Sequence, residues 1–199
     1  GGIENPPKVT KEVLRTSYLF DFLAISLSFF FIGHLFFLAT FICSILSKAY
    51  SHPKIRLKKK PILSWLTVSI FQGPFIYLSI FLSFSSSWVI SLKEQWPAAL
   101  STAFLFGGAY PMTQIFQHKE DEERGDKTLS LKLGIKGTFV FSAINFLIGT
   151  LFLFYYLFRT QFFKVCYLFP LFMLPTLIYF SYWFYLCSKN ESEANFINC

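Results

Sequence analysis

Residues 137–158 read GTFVFSAINFLIGTLFLFYYLF, and they include no Lys, Arg, Asp or Glu. An α-helix rises about 1.5 Å per residue, so about 20 apolar residues cross the hydrocarbon core of a bilayer. Four more stretches on either side of it also lack these charged residues: 22–47, 61–92, 95–118 and 165–188. The pattern predicts an all-α protein, a polytopic transmembrane helix bundle.

The composition excludes a water-soluble domain. Of the 199 residues, 54% are hydrophobic and only 15% are charged, against about 25% charged in a typical soluble protein. The formal net charge is +7, which in a soluble protein would indicate nucleic-acid binding. In a membrane protein, Lys and Arg in short loops set the orientation of the chain. We therefore expect membrane lipids, and no nucleic acid, among its partners.

Six helices account for the uncharged runs best. The first run, continued to Tyr50, is too long for one span, and Gly33-His34 predicts a turn between two helices. The run 61–92 predicts one helix ending near serines 83–87, with the remainder up to Pro97 at the membrane interface. Six crossings place 15 of the 18 Lys and Arg residues on one side, whereas a single first helix lowers this to 12. The positive-inside rule favours six helices with the charged loops on the cytoplasmic side.

The acidic segment, residues 116–137, concentrates carboxylates after one of these apolar runs. It holds five of the eleven acidic residues: Glu120, Asp121, Glu122, Glu123 and Asp126. On a helix, residues four apart share a face, as in the pairs Gln117/Asp121 and Glu122/Asp126. Oxygen ligands on one face are suited to Mg²⁺ that also binds phosphate oxygens. The alternative is a solvated segment balanced by its own Lys and Arg residues.

The basic segment, residues 48–61, is predicted on the same side of the membrane. Its Lys and Arg residues anchor the chain by the positive-inside rule, and they are also suited to binding a diphosphate or anionic lipid head groups. An acidic and a basic segment at one end of an apolar bundle indicate chemistry on a lipid-tailed diphosphate. The alternative function is a transporter or channel segment whose charged loops orient it.

Both segments resemble motifs of the UbiA superfamily of intramembrane prenyltransferases. Tyr50-Ser51-x-Pro53-x-x-Arg56-Leu57-Lys58 is similar to the motif after that family's fourth helix, and Tyr50 with Lys54 fits its YxxxK pattern. Residues 120–126, followed by Lys127-Thr128-Leu129-Ser130 and Leu133-Gly134, resemble its second Asp-rich loop. The second motif is usually DxxxD. Here one register places Gln117 and Asp121 at its two acidic positions, and the other places Glu122 and Asp126 there.

The resemblance implies about six helices of a nine-helix fold and a Mg²⁺-dependent transfer of an isoprenyl group. The donor is an isoprenyl diphosphate, and the acceptor is an aromatic or lipid molecule of quinone, haem, chlorophyll or lipid biosynthesis. Asp121 is the expected catalytic residue. The implied metal ligands are Gln117, Asp121, Glu122 and Asp126. The implied diphosphate contacts are Tyr50, Lys54, Arg56, Lys58 and Lys127.

Two elements of the family pattern are missing from residues 1–199. The first acidic motif, NDxxDxxxD, does not occur, and no ninth helix follows Glu193. Gly1-Gly2-Ile3 resembles the segment just downstream of that motif. We therefore expect a single membrane domain that is a fragment of a longer enzyme, and little or no activity from the fragment alone.

Overall fold

The computed structural model describes residues 10–52, 55 and 57–198, which form helices and turns without a strand. The helices are α1 Lys11–Leu27, α2 His34–Ser51, α3 Pro61–Thr67, α4 Ile76–Ser83, α5 Trp88–Met112, α6 His118–Glu123, α7 Leu129–Arg159 and α8 Phe163–Lys189. A π-helical turn at Ser28–Ile32 extends α1, and another at Val68–Phe75 joins α3 to α4. Six long helical units result, which confirms the predicted all-α polytopic bundle.

Five of these units have the length and hydropathy of a membrane span, within the part of the chain that the structure describes. They are Lys11–Ile32, His34–Ser51, Pro61–Ser83, Leu129–Arg159 and Phe163–Lys189. Gly33 separates the first two at a φ of +133°, a backbone region open mainly to glycine. The predicted turn at Gly33-His34 is thereby confirmed, and the protein is an integral, multi-pass membrane protein.

The sixth unit, α5, lies at the centre of the bundle and packs most extensively against α7. It begins at Trp88, whereas the uncharged run predicted a start near Gln95. The residues from Trp88 to Gln95, which were expected to lie at the membrane interface, therefore form the first turns of α5. Lys93 and Glu94 interrupt the uncharged run, and for this reason the start of the helix was missed. Both side chains are exposed, so the helix includes them without burying charge.

The unit Pro61–Ser83 bends at Gly73-Pro74. Gly73 leaves helical geometry at ψ −106°, and Pro74 has no backbone N–H for the helix ladder. A Cβ on Gly73 would lie 2.9 Å from the carbonyl carbon of Thr102. The bend therefore lies where this unit presses against the backbone of α5.

An aromatic core supports the acidic segment. Phe139 of α7 is 1% exposed, and its ring centroid lies 5.0 Å from Trp183 and 5.1 Å from Phe184 of α8. Met112 and Ile115 complete the buried cluster where α5 ends. Because burial of such side chains is the main favourable term in packing, this cluster fixes the helix ends from which the acidic segment starts.

Candidate functional site

The acidic segment folds back on itself at Gly125. Helix α6 carries Asp121 and ends before Gly125, which adopts a φ of +66°, where glycine has no steric penalty. The backbone N–H of Asp126 then donates to the carbonyl oxygen of Asp121 at 2.8 Å. This turn brings Asp121 and Asp126 close together, and both side chains are buried.

Asp121 is held by the start of α7. The hydroxyl of Thr128 donates to Oδ2 of Asp121 at 3.1 Å. Burial raises the pKa of the Asp121 carboxyl, and the negative charge of Asp126 adds to this rise. The hydrogen bond from Thr128 and the nearby His118 and Lys58 act in the opposite direction. The site therefore holds a carboxylate at an energetic cost, a feature enriched at functional sites.

A chain of polar contacts joins α6 to α7. Nε2 of His118 lies 2.7 Å from Oγ of Ser130, which lies 3.0 Å from Oγ1 of Thr138. Thr138 donates in turn to the carbonyl oxygen of Gly134 at 2.7 Å, where a φ of +69° kinks α7. Burial lowers the pKa of His118, opposed by nearby acidic side chains. These contacts fix the orientation of α6 and so of Asp121.

The acidic and basic segments line one cavity of about 520 Å³. The acidic segment contributes Gln117, Asp121 and Asp126, and the basic segment contributes Tyr50 and Lys58. Nζ of Lys59 lies 4.0 Å from Oδ1 of Asp126, at the junction of the two segments. The structure therefore brings opposite charges, separated by about 60 residues in sequence, to a single concave site, the form expected of a ligand pocket.

Two predicted site residues of the acidic segment lie outside this cavity. Glu122 and Lys127 are exposed and do not line the cavity. Lys54 and Arg56 lie outside the described residues. Asp121 of one register and Asp126 of the other are thus brought together, while Glu122 is exposed outside the cavity.

Three aromatic side chains of the cavity were not predicted as site residues. They are Tyr110, near the end of α5, Phe116, at the start of the acidic segment, and Phe196, after α8. Tyr110 stands in the Gly107–Pro111 stretch that leads to the acidic segment, which is a usable signal. Phe196 is one of 28 phenylalanines, and nothing in its neighbourhood marks it.

A second, largely apolar cavity of about 340 Å³ adjoins the charged one. Cys43, Val68 and Phe71 are among its lining residues, and it shares Tyr50 and Tyr110 with the charged cavity. The two tyrosine hydroxyls lie 2.5 Å apart. This pair of tyrosines therefore lies between the charged cavity and the largely apolar one.

The oxygen donors of the charged cavity fit Mg²⁺ that is shared with a phosphate. Among the described residues, no three His, Cys, Asp or Glu side chains come close enough to hold a metal ion by themselves. The cavity does hold two buried carboxylates, and Gln117 donates its amide N–H to the carbonyl oxygen of Thr113 at 2.9 Å. One or two carboxylates completed by phosphate oxygens and water are the usual protein ligands of Mg²⁺.

Asp21, an acidic residue within the first span, forms an ion pair with Lys48 of α2. Lys48 also lies over the ring of Tyr18, with Nζ 4.7 Å from its centroid. Asp21 does not line the charged cavity. Its role in this structure is to connect α1 to the end of α2 that carries Tyr50.

A protein-family model, described as the UbiA prenyltransferase family, matches residues 8–198. No curated protein and no solved structure matches the chain. The family match includes both charged segments and all eight helices.

Proposed function

The chain belongs to the UbiA prenyltransferase family, and we propose that it transfers an isoprenyl group from an isoprenyl diphosphate to an aromatic or lipid acceptor. Membership of this family indicates a prenyltransferase that acts within the membrane, without specifying its substrates. The single observation that carries the finer proposal is the meeting of Lys58 with Asp121 and Asp126 in one cavity. The transporter alternative is not favoured, because the family match indicates a prenyltransferase and Asp21, an acidic residue within the first span, is ion-paired.

The charges of the cavity match the parts of a metal-bound diphosphate. Asp121 and Asp126, together with the amide oxygen of Gln117, would hold Mg²⁺, which neutralises a leaving diphosphate when bound. Lys58 would neutralise phosphate oxygens directly, as lysine does in many phosphate sites. Lys54 and Arg56 are proposed for the same role from their motif. Stabilising the negative charge of the leaving group is the main contribution that such residues make to the rate.

The bundle would supply the apolar half of the site. Its adjoining cavity, about 340 Å³ in volume, is lined by no charged side chain and mainly by apolar ones, so it is suited to hydrocarbon. Tyr50 and Tyr110, which line both cavities, would contact the substrate where its polar and apolar parts meet. We propose that the charged end of the bundle faces the cytoplasm, because its loops carry most of the Lys and Arg residues.

The test is a transfer assay with the full-length protein in lipid nanodiscs. Radiolabelled geranyl, farnesyl and geranylgeranyl diphosphate are offered with Mg²⁺ and with hydroxylated aromatic acids, a porphyrin or a lipid alcohol as acceptor. We expect a prenylated product that depends on Mg²⁺ and is abolished by Asp121→Asn. Glu123→Gln, which alters an exposed carboxylate of the same helix, is the matched control. Transfer that survives Asp121→Asn would contradict the proposed site.

A further inference from the structure

Residues 190–198 fold back from the end of α8 towards the charged cavity. Two side chains of α8 hold this segment. Nε1 of Trp183 donates to the carbonyl oxygen of Glu193 at 2.9 Å. The hydroxyl of Tyr179 donates to the carbonyl oxygen of Asn198, also at 2.9 Å. Trp183 belongs to the buried aromatic core. The segment is therefore attached to the same structure that supports the acidic segment.

Asparagine side chains define the internal shape of this segment. Oδ1 of Asn190 accepts from the N–H of Ser192, and Oδ1 of Asn195 accepts from the N–H groups of Ile197 and Asn198, each at 3.1 Å. Asn198 also donates to the carbonyl oxygen of Glu193 at 3.1 Å. Such local side-chain to backbone bonds are what make asparagine a turn-forming residue. They place residue 196 at a defined position.

That position is a wall of the charged cavity. The ring of Phe196 lies edge-on to Phe116 of the acidic segment, with centroids 5.4 Å apart and planes at 71°. Phe196 remains 47% exposed, and the cavity that it lines also holds Asp121 and Lys58. A large, partly exposed apolar ring thus lines the same cavity as the carboxylates and Lys58.

We propose that Phe196 is a substrate-contacting residue that binds the first isoprene unit of the diphosphate substrate. This inference rests on the proposed function. If Asp121, Asp126 and Lys58 hold the diphosphate, the allylic carbons are only a few bonds away, so an apolar wall of the same cavity contacts them. An aromatic face also attracts the positive charge that develops on the allylic carbon as its bond to oxygen weakens.

The adjacent residue provides a matched control. Ile197 is 90% exposed and does not line the cavity, although it lies on the same short segment. A variant at 197 therefore reports general disturbance of residues 190–198. A variant at 196 reports the same disturbance and, in addition, the loss of the contact with substrate.

The first test is photo-crosslinking in the full-length protein. Benzoylphenylalanine is introduced at position 196 or at position 197, and each protein is irradiated with radiolabelled farnesyl thiodiphosphate and Mg²⁺. We expect label on the protein substituted at 196, competed away by unlabelled analogue, and little label at 197. Equal labelling at the two positions, or none at 196, overturns the assignment of Phe196.

The second test is kinetic. We expect Phe196→Ala to lower kcat/KM by about tenfold, Phe196→Tyr to restore most of it, and Ile197→Ala to match wild type. Thermal unfolding of each variant in detergent shows whether the bundle is intact. A wild-type protein that transfers no prenyl group overturns the proposed function itself. An active wild type in which Phe196→Ala equals Ile197→Ala overturns only the role of Phe196.

Discussion

Nζ of Lys59 lies 4.0 Å from Oδ1 of Asp126, so this contact joins the basic segment to the acidic segment. The lysine side chain is 43% exposed and that of the aspartate only 4%. A half-exposed pair of this kind contributes little to stability. Its importance is positional, because Asp126 lines the charged cavity and the residue before Lys59, Lys58, lines it from the basic segment.

The first prediction concerns the two registers of the acidic motif. Because Asp126 lines the cavity and Glu122 is exposed, Asp126→Asn should lower kcat by about 100-fold, the usual cost of losing a group that stabilises developing charge. Glu122→Gln should stay within about twofold of wild type. Transfer assays at saturating Mg²⁺ measure both. Equal losses would mean that Glu122 reaches the substrate.

The second prediction separates the lysines. Lys58 lines the cavity and Lys127 does not, so Lys58→Gln should raise the KM for the isoprenyl diphosphate by about tenfold, the value of one charge-assisted hydrogen bond. Lys127→Gln removes the same charge from the acidic segment and serves as the control. Initial rates over a range of diphosphate concentrations give the two KM values. A larger effect at Lys127 would contradict the described cavity.

The third prediction concerns pH and stability. The pKa of Asp121 is raised in the folded protein, chiefly by burial, so the fold favours the protonated acid. Its stabilising contribution is present at low pH and is lost as pH rises through the raised pKa. Asp121→Asn should therefore melt at a higher temperature than wild type at neutral pH without Mg²⁺ or diphosphate. The difference in melting temperature between the variant and wild type should become smaller as the pH is lowered.

Thermal unfolding in detergent at several pH values checks this third prediction. Glu123→Gln is the control, because its side chain is exposed. An Asn variant that melts below wild type at neutral pH would show that burial is not the dominant influence on Asp121. Loss of activity together with a gain in stability is the trade-off expected of a functional carboxylate.

The fourth prediction concerns the contact between α5 and α7. A Cβ on Gly108 would lie 2.9 Å from ring carbons of Phe146 and 3.0 Å from the carbonyl oxygen of Ser142. Gly108→Ala should therefore cost about 1–3 kcal/mol of unfolding free energy through overpacking. Gly137→Ala, whose nearest contact is Leu133 Cβ at 3.3 Å, should change stability by less than about 1 kcal/mol. Denaturation in mixed micelles compares them, and equal effects would argue against the close approach.

The helices were predictable because hydropathy is a local property of the chain. Residues 137–158 fall within α7, and Gly33 separates α1 and α2 as expected. Asp121 and Lys58 were predictable for the related reason that charge stands out against an apolar background. The start of α5 at Trp88 was missed, because Lys93 and Glu94 interrupt the run of apolar residues although they lie on an exposed part of the helix.

The geometry of the acidic pair was beyond the reach of helical spacing. The i,i+4 rule assumes one continuous helix, but α6 ends at Glu123 and Gly125 turns the chain. Asp121 and Asp126 therefore meet across a turn, while Glu122 is exposed outside the cavity. Tyr110 and Phe196 reach the cavity through packing between distant parts of the chain; the Gly107–Pro111 stretch marks the first in the sequence, whereas nothing local marks Phe196.

Tyr50 and Tyr110 belong to both cavities and are joined by one hydrogen bond of 2.5 Å. The two phenols thus stand where a cavity with ionic side chains meets a largely hydrocarbon-lined one. An amphiphile with its head group in the first cavity and its tail in the second would have to pass beside both rings.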